Sequence, residues 1–479
     1  MKTQPSMEPD FPHQKERSLS RSNSRRALIG IGCVLLYLVL ANLPTPAGLT
    51  LPGQKALALM VVASLAWMFE VVPLGVSSAL FVMIIGTLGI IPPKEAMANF
   101  AIPTIFFIMS SYVVAIAFVE TGLAHRTSLL MSSIFGNKSS RVLLSFMVSP
   151  AILATMLADV PTSLIFAGVA LPLLKKNGCT PGSNFGRALM MGIPIAAASG
   201  GISTPAGSGL NVLAMALLKN TANVDLTFVQ WGMIGLPTAA ILTVAAWYII
   251  LKMVPPEFEY VKGLEDAGRA KLGPLTVQEK KFAFIFLASR LLWFTDAWHK
   301  LDPTVVAIVA ATACFLPGVN LITWKQAKDR IGWDVLFLVG ASNVLAMAIL
   351  KQGSALWLTN TFLSGLVGAN LAVLLVAVIA FGIYSHLVLP VANAMLAVAI
   401  PVIAVMSAQA GINPAILAVP IGFCASCVFV LPLDPIPLTT YEHGYWKMTD
   451  MMKPGFVISL VWLVLLTVVM YFVRILGIL

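Results

Sequence analysis

The chain has 479 residues, of which 58% are hydrophobic and 10% charged, and its net charge is +10. A soluble domain carries about 25% charged residues, so a soluble enzyme or nucleic-acid-binding module is excluded, and a mean hydropathy of +0.91 points to bilayer-crossing helices. The positive charge is read as Lys and Arg gathered in cytoplasmic loops rather than as a nucleic-acid surface.

Residues 1–26 form a basic, Ser-rich tail with Lys2, Lys15, Arg17, Arg21, Arg25 and Arg26. It is expected to be disordered and cytoplasmic. The apolar run Ala27–Leu43 follows without a small-residue cleavage site, so it reads as a retained span. Further apolar runs lie at Ala56–Phe69, Leu236–Ile250, Val305–Leu316, Leu371–Ile383 and Val457–Val473. They predict an all-α polytopic membrane protein with roughly 11 spanning helices. The integral-membrane chain is placed in a bacterial inner membrane, with its N-terminus in the cytoplasm.

A charged stretch over residues 255–281, with Glu257, Glu259, Asp266, Arg269 and Lys280 among others, reads as a cytoplasmic linker. It divides a first membrane half, 27–254, from a second, 282–479. The halves repeat. At an offset of 231, Lys94-Glu95-Ala96 falls on Lys325-Gln326-Ala327, Ile105–Ser110 on Leu336–Ala341, and Glu120-Thr121-Gly122 on Lys351-Gln352-Gly353. Pro161 and Pro172 are eleven residues apart, as are Pro390 and Pro401, and each pair is followed by a further proline, Pro205 or Pro432. Broken helices at matching places in two halves mark a transporter's binding site. A cytoplasmic N-terminus, a cytoplasmic linker and one leading unrepeated helix leave an odd number of crossings per repeat, which predicts inverted repeats with re-entrant hairpins.

The breaks carry the polar residues. Asp159 beside Pro161 is an ionisable group at membrane depth, with Thr162 and Ser163 next to it. Freed carbonyls, this carboxylate and the hydroxyls would suit sodium; otherwise Asp159 caps the following half-helix. The second break, Ala198–Asn211, holds Gly201, Thr204, Pro205, Ser208 and Asn211. Its glycines allow close backbone approach, and a half-helix starting near Gly209 would aim N–H groups at an anion. In the second half, Asn393 follows Pro390, and His386 is a candidate proton carrier or a satisfied interface residue. Asp434 stands among Pro432, Pro435 and Pro437, with Thr439 beyond, as a second ion-site carboxylate or a cap. Cys424 and Cys427 have redox or metal spacing, but no second Cys/His pair completes a site, so they read as helix-packing residues. The sequence has no Walker A, H-E-x-x-H or G-x-S-x-G motif, and an enzyme is not expected.

From about residue 30 to 475 the chain resembles the divalent anion–sodium symporter family, the dicarboxylate and sulfate carriers. Phe100–Phe107 with Glu120-Thr121-Gly122-Leu123 looks like its first re-entrant hairpin, and Trp333–Leu338 to Gly353 like its second. Thr204-Pro205-Ala-Gly207-Ser208-Gly209-Leu-Asn211 is similar to that family's Gly-Thr-Pro-x-Gly-Thr-Pro-Pro-Asn run. The family's Ser-Asn-Thr tip motifs, which would fall near Val160–Ser163 and Leu389–Asn393, are replaced here. Asp159-Val-Pro-Thr162 looks more like the tips of arsenite and sodium/proton carriers of the same superfamily. The resemblance implies an elevator-type secondary transporter and a homodimer, without a classical cofactor. Its expected cargo is a small divalent anion, such as a C4-dicarboxylate, moved by symport or anion exchange. Substrate would meet Thr162, Ser163, Ser208, Asn211, Asn393 and Thr439. Asp159, Gly201, Thr204, Asp434 and His386 would couple sodium or protons. The alternatives are a cation/proton antiporter, a metalloid, sulfate or sulfonate carrier, and a non-transporting receptor.

Overall fold

The computed structural model describes residues 12–132, 135–262, 273–387, 391–430 and 435–479. Among them it is helical, with a single isolated bridge between Lys138 and Tyr260. The first half runs α1 (Pro12–Asn42), α2 (Leu51–Met68), α3 (Leu74–Thr87), α4 (Pro93–Phe100), α5 (Pro103–Glu120), α6 (Leu123–Ser132), α7 (Ser139–Ala154), α8 (Asp159–Lys176), α9 (Asn184–Gly201), α10 (Gly209–Ala222) and α11 (Phe228–Met253). The second runs α12 (Val277–Phe294), α13 (Pro303–Ala313), α14 (Trp324–Lys328), α15 (Trp333–Lys351), α16 (Ser354–Leu358), α17 (Leu371–Tyr384), α18 (Ala392–Gln409), α19 (Pro414–Ser426), α20 (Pro435–Tyr441) and α21 (Met448–Ile475).

Local chemistry sets these boundaries. Thr50, Thr227, Thr276 and Thr323 cap α2, α11, α12 and α14 through their hydroxyls, the last three with a reciprocal Gln or Glu. Proline occupies the first turn of α4, α5, α13 and α19, where its missing N–H costs nothing. Among the described residues, six helices are long and apolar enough to cross a membrane, and further apolar helices are only 10–17 residues long. Against the roughly eleven expected spans, the described residues thus hold six full-length apolar helices and six shorter ones. The exposed Leu, Val, Ile and Phe side chains on α1, α11, α12 and α21 belong against lipid tails.

The doubled order is plain. α5 ends before Gly122 at φ 82°, and α15 before Gly353 at φ 74°. α8 and α18 are both 18 residues long, and Gly178 and Gly411 follow them at φ 68° and 66°. A left-handed backbone after a helix favours glycine, so the same stop recurs in both halves. The halves also exchange contacts. α5 packs on α13 while α15 packs on α3; α10 packs on α18 while α20 packs on α8; α11 packs on α21. Such crossed pairs are what a two-fold relation between repeats requires.

Several expectations change. The hairpins are not at Phe100–Leu123 and Trp333–Gly353: those segments hold the single helices α5 and α15, whose residues run without a helix-breaking turn. The first hairpin is α7 and α8, which turn at Thr155–Ala158 and pack on each other. Pro161 does not break a helix; it sits in the first turn of α8, and Pro172 is absorbed inside that helix. Residues 12–26 continue α1 rather than forming the expected tail, as no proline or glycine interrupts them between Pro12 and Gly30. Pro390 and Leu431–Asp434 lie outside the described residues. The start of the linker is folded onto the first half. Ser139 N–H donates to Glu259 O at 2.8 Å, and the Glu257 carboxylate accepts from the Asn184 and Phe185 N–H groups that open α9.

Candidate functional site

The site forms where helices begin rather than where side chains cluster. A cavity of about 330 Å³ is bordered by the first residues of α8 (Asp159, Val160, Pro161), of α10 (Gly209, Leu210) and of α18 (Ala392, Asn393). Small-molecule sites run from about 300 to 1,000 Å³. A helix start leaves backbone N–H groups without intrahelical acceptors and carries partial positive charge. At α8 the Asp159 carboxylate accepts from the Val160 N–H at 2.8 Å and Pro161 has no N–H, so the starts of α10 and α18 are the ones that make a place for an anion. The opposite wall comes from Phe107, Ser111 and Tyr112 of α5 and from Leu338 and Val339 of α15. The break between α9 and α10 is a single 3₁₀ turn, Pro205–Gly207, that brings Ser208 to the cavity.

The expected residues divide into three groups. Asp159, Ser208 and Asn393 line the cavity and are 5%, 4% and 7% exposed. Ser208 Oγ accepts from Ser426 Oγ at 3.2 Å, leaving its own proton for a ligand. Asn393 Nδ2 has no acceptor among the described residues. These three present one carboxylate, one hydroxyl and one amide donor to the same space.

Gly201, Thr204 and Asn211 lie behind Asp159 and hold the break together. Asn211 Nδ2 donates to Gly201 O at 2.7 Å and to Thr204 O at 2.8 Å. Thr204 Oγ1 donates to Thr155 O in the turn of the first hairpin, at 2.5 Å. A Cβ on Gly201 would stand 3.0 Å from Asp159 Oδ2 and 3.1 Å from Gly207 O, so only glycine lets the carboxylate and these carbonyls approach. Asn211 thus acts on the backbone of the break and does not line the cavity. Its Oδ1 and Thr162 Oγ1 have no partner among the described residues. Asp159 Oδ2, these two buried oxygens and the carbonyls of the break are of the kind a hard cation takes as ligands.

The third group is away from the cavity. Ser163 Oγ and Thr439 Oγ1 are 2.7 Å apart, and Thr439 Oγ1 donates to Ile436 O at 2.6 Å. With the threonine proton spent there, Ser163 donates, and the pair ties α8 to α20. His386, 1% exposed, sits in the turn after α17 and does not border the cavity. Asp434 is outside the described residues. Cys424 and Cys427 are buried, and among the described residues no cluster of His, Cys, Asp or Glu could hold a metal. Sequence reasoning missed Ser111 and Tyr112, whose signal was the polar run Ser110-Ser111-Tyr112 inside an otherwise apolar helix.

Comparison with known proteins agrees with this architecture. Residues 26–479 match the family described as the sodium:sulfate symporter transmembrane region. A sodium-dependent dicarboxylate transporter, SdcS, of Staphylococcus saprophyticus is 26% identical over 467 residues, covering 91% of this chain and 89% of the relative. The SdcS of Staphylococcus aureus is 24% identical over 467 residues, covering 92% and 89%. The crystal structure of the Alcanivorax borkumensis YdaH transporter superposes with a TM-score of 0.56 at 13% identity, over 80% of this chain and 87% of that one, which shows the shared fold. The chain is an integral membrane transporter, not an enzyme, and it belongs to the sodium:sulfate symporter transmembrane family.

Proposed function

We propose that the protein is a secondary active carrier of small divalent anions, of which C4-dicarboxylates are the leading cargo, driven by sodium. The observation that carries this reading is the meeting of the α10 and α18 N-termini, Ser208 and Asn393 around one cavity that also contains the Asp159 carboxylate. The helix starts and amide favour carboxylate groups. Asp159 opposes them unless a cation or proton accompanies the substrate, so the site itself calls for coupling. Cargo charge gives a second reason: moving one charge against a potential costs about 2.3 kcal/mol per 100 mV. The relatives named for sodium-dependent dicarboxylate transport support the same cargo and ion. In this reading His386 is not assigned to proton transfer, because it does not border the cavity. The chain works as a homodimer in a bacterial inner membrane with a cytoplasmic N-terminus. The cavity is carried past a fixed scaffold in an elevator movement.

Sulfate is the second reading, favoured by the family's own description and by the absence of Ser-Asn-Thr at the hairpin tip, where Asp159–Thr162 stands instead. Uptake of labelled succinate and sulfate into proteoliposomes, under sodium and proton gradients and in counterflow, decides between them. Sodium-driven succinate uptake supports the first; uptake of neither anion under any gradient sinks both.

A further inference from the structure

One buried charge, Arg290, lies outside this site. Arg290 is near the end of α12 and 7% exposed. Its Nη2 donates to Met156 O, in the turn of the first hairpin, at 2.6 Å. The guanidinium lies over the Phe286 ring at 4.3 Å and the Trp293 ring at 4.2 Å. Among the described residues it makes no ion pair, and its Nε has no acceptor. A buried cation without a carboxylate partner is costly, and its charge is available to a ligand nearby.

The surroundings say what uses it. Arg290 borders a void of about 10 Å³ together with Ser111, Ala158 and Ala206. That volume holds one water molecule. Ser111, Ala158 and Ala206 also border the main cavity, so one layer of side chains separates the two spaces. Ser111 Oγ, like Arg290 Nε, is buried without a hydrogen-bond partner among the described residues. Nε can only donate, so a water held in this void would accept from it. Such a water would donate to Ser111 Oγ and leave the Ser111 proton for the cavity.

We propose that Arg290 and Ser111 form a relay that selects doubly charged anions. Ser111 donates to the substrate, and Arg290 is the positioning residue that orients it and supplies fixed positive charge. This rests on the anion-carrier reading and adds the source of its charge preference. A fixed cation acts on each negative charge in the cavity, so its loss weakens a dianion more than a monoanion.

The test uses the full chain in proteoliposomes, with succinate as dianion and its monomethyl ester as monoanion. R290Q and S111A are each expected to raise the succinate KM about tenfold, the scale of one hydrogen bond to a charged group, and to move the ester KM by less than about twofold. R290K, which keeps the charge, restores most of the discrimination. The R290Q/S111A double variant is no worse than R290Q, since both act on one path. Equal changes for both ligands, or additive effects, overturn the relay. S111A removes only a hydroxyl, so unchanged selectivity in S111A overturns it even if R290Q does not fold. Heat stabilisation of the purified chain by succinate and by the ester reads the relay without transport. A wild-type chain stabilised by succinate but carrying neither succinate nor sulfate defeats the carrier reading and leaves the relay standing. A carrier whose selectivity S111A leaves intact defeats the relay alone, and a chain neither stabilised nor transporting defeats both.

Discussion

Lys351 Nζ lies 2.5 Å from Glu95 Oε2, and this contact has a counterpart. Gln326 Nε2 donates to Glu120 Oε2 at 2.9 Å. The offset of 231 that takes Glu95 to Gln326 also takes Glu120 to Lys351. Each half therefore reaches from the end of its long helix, α5 or α15, to the short helix of the other half, α14 or α4. The chemistry differs, an ion pair in one and an amide to carboxylate bond in the other, while the geometry is kept.

If the two-fold axis lies in the membrane plane, these matched contacts fall on opposite sides of the bilayer. Lys94 and Lys325 are exposed, matched by the same offset, and adjacent to the two contacts. Lys94→Cys and Lys325→Cys are expected to react with an impermeant maleimide from opposite sides of oriented vesicles. The native thiols that are described are buried and give a low background. Labelling of both positions from one side sinks the inverted arrangement.

In the proposed mechanism Asp159 serves the coupling cation. Asp159→Asn is expected to lower sodium-driven uptake at least about tenfold, since a charged ligand contributes on the order of 1.5–3 kcal/mol. It should also flatten the sodium dependence of succinate uptake. A variant with unchanged rate and unchanged sodium dependence removes Asp159 from the mechanism.

Gly201 gives a more local test. A methyl group there would press on Asp159 Oδ2 at 3.0 Å and on Gly207 O at 3.1 Å. Gly201→Ala should weaken sodium affinity several-fold while the fold survives, because a carboxylate can shift by tenths of an ångström. At Gly207 the methyl group would meet Gly201 O at 2.3 Å and Ala154 O at 2.7 Å, both rigid backbone. Gly207→Ala is expected to cost about 1–3 kcal/mol by overpacking. Thermal melts of the two variants should separate, with Gly207→Ala the lower.

Ser163 and Thr439 are expected to act on structure rather than on substrate. Removing either hydroxyl should lower stability by about 0.5–1.5 kcal/mol, with a coupling in the double variant because the groups share one bond. The succinate KM should stay within about twofold, as neither residue borders the cavity. A tenfold KM change in Ser163→Ala would return that residue to the substrate site.

Much of the fold was legible because it is written in periodic or compositional terms. Apolar length marked the spans, and the Glu120-Thr121-Gly122 and Lys351-Gln352-Gly353 matches marked the repeat. The hairpins were misplaced because the resemblance was laid over Phe100–Leu123 and Trp333–Gly353, where α5 and α15 run as single helices, and the proline breaks were not read as hairpin turns. Pro161 starts a helix and Pro172 sits inside one, and local sequence does not distinguish a helix start at membrane depth from a kink. Asp159, Ser208 and Asn393 were found since polar groups stand out in apolar sequence. Asn211, Ser163 and Thr439 stood out equally but turned inward to backbone or to each other.

The sequence by itself determined a helical membrane transporter built from two related halves, because hydrophobic length and internal repetition are properties of single segments. Only the tertiary structure decided which polar groups share one cavity. That depends on helices from distant parts of the chain ending at the same place: α8 and α10 from one half, α18 from the other. It also decided that Arg290, an unremarked residue of α12, lies one side-chain layer behind that cavity. No spacing along the chain encodes such neighbours, because the crossed packing of the halves, and not sequence separation, brings them together.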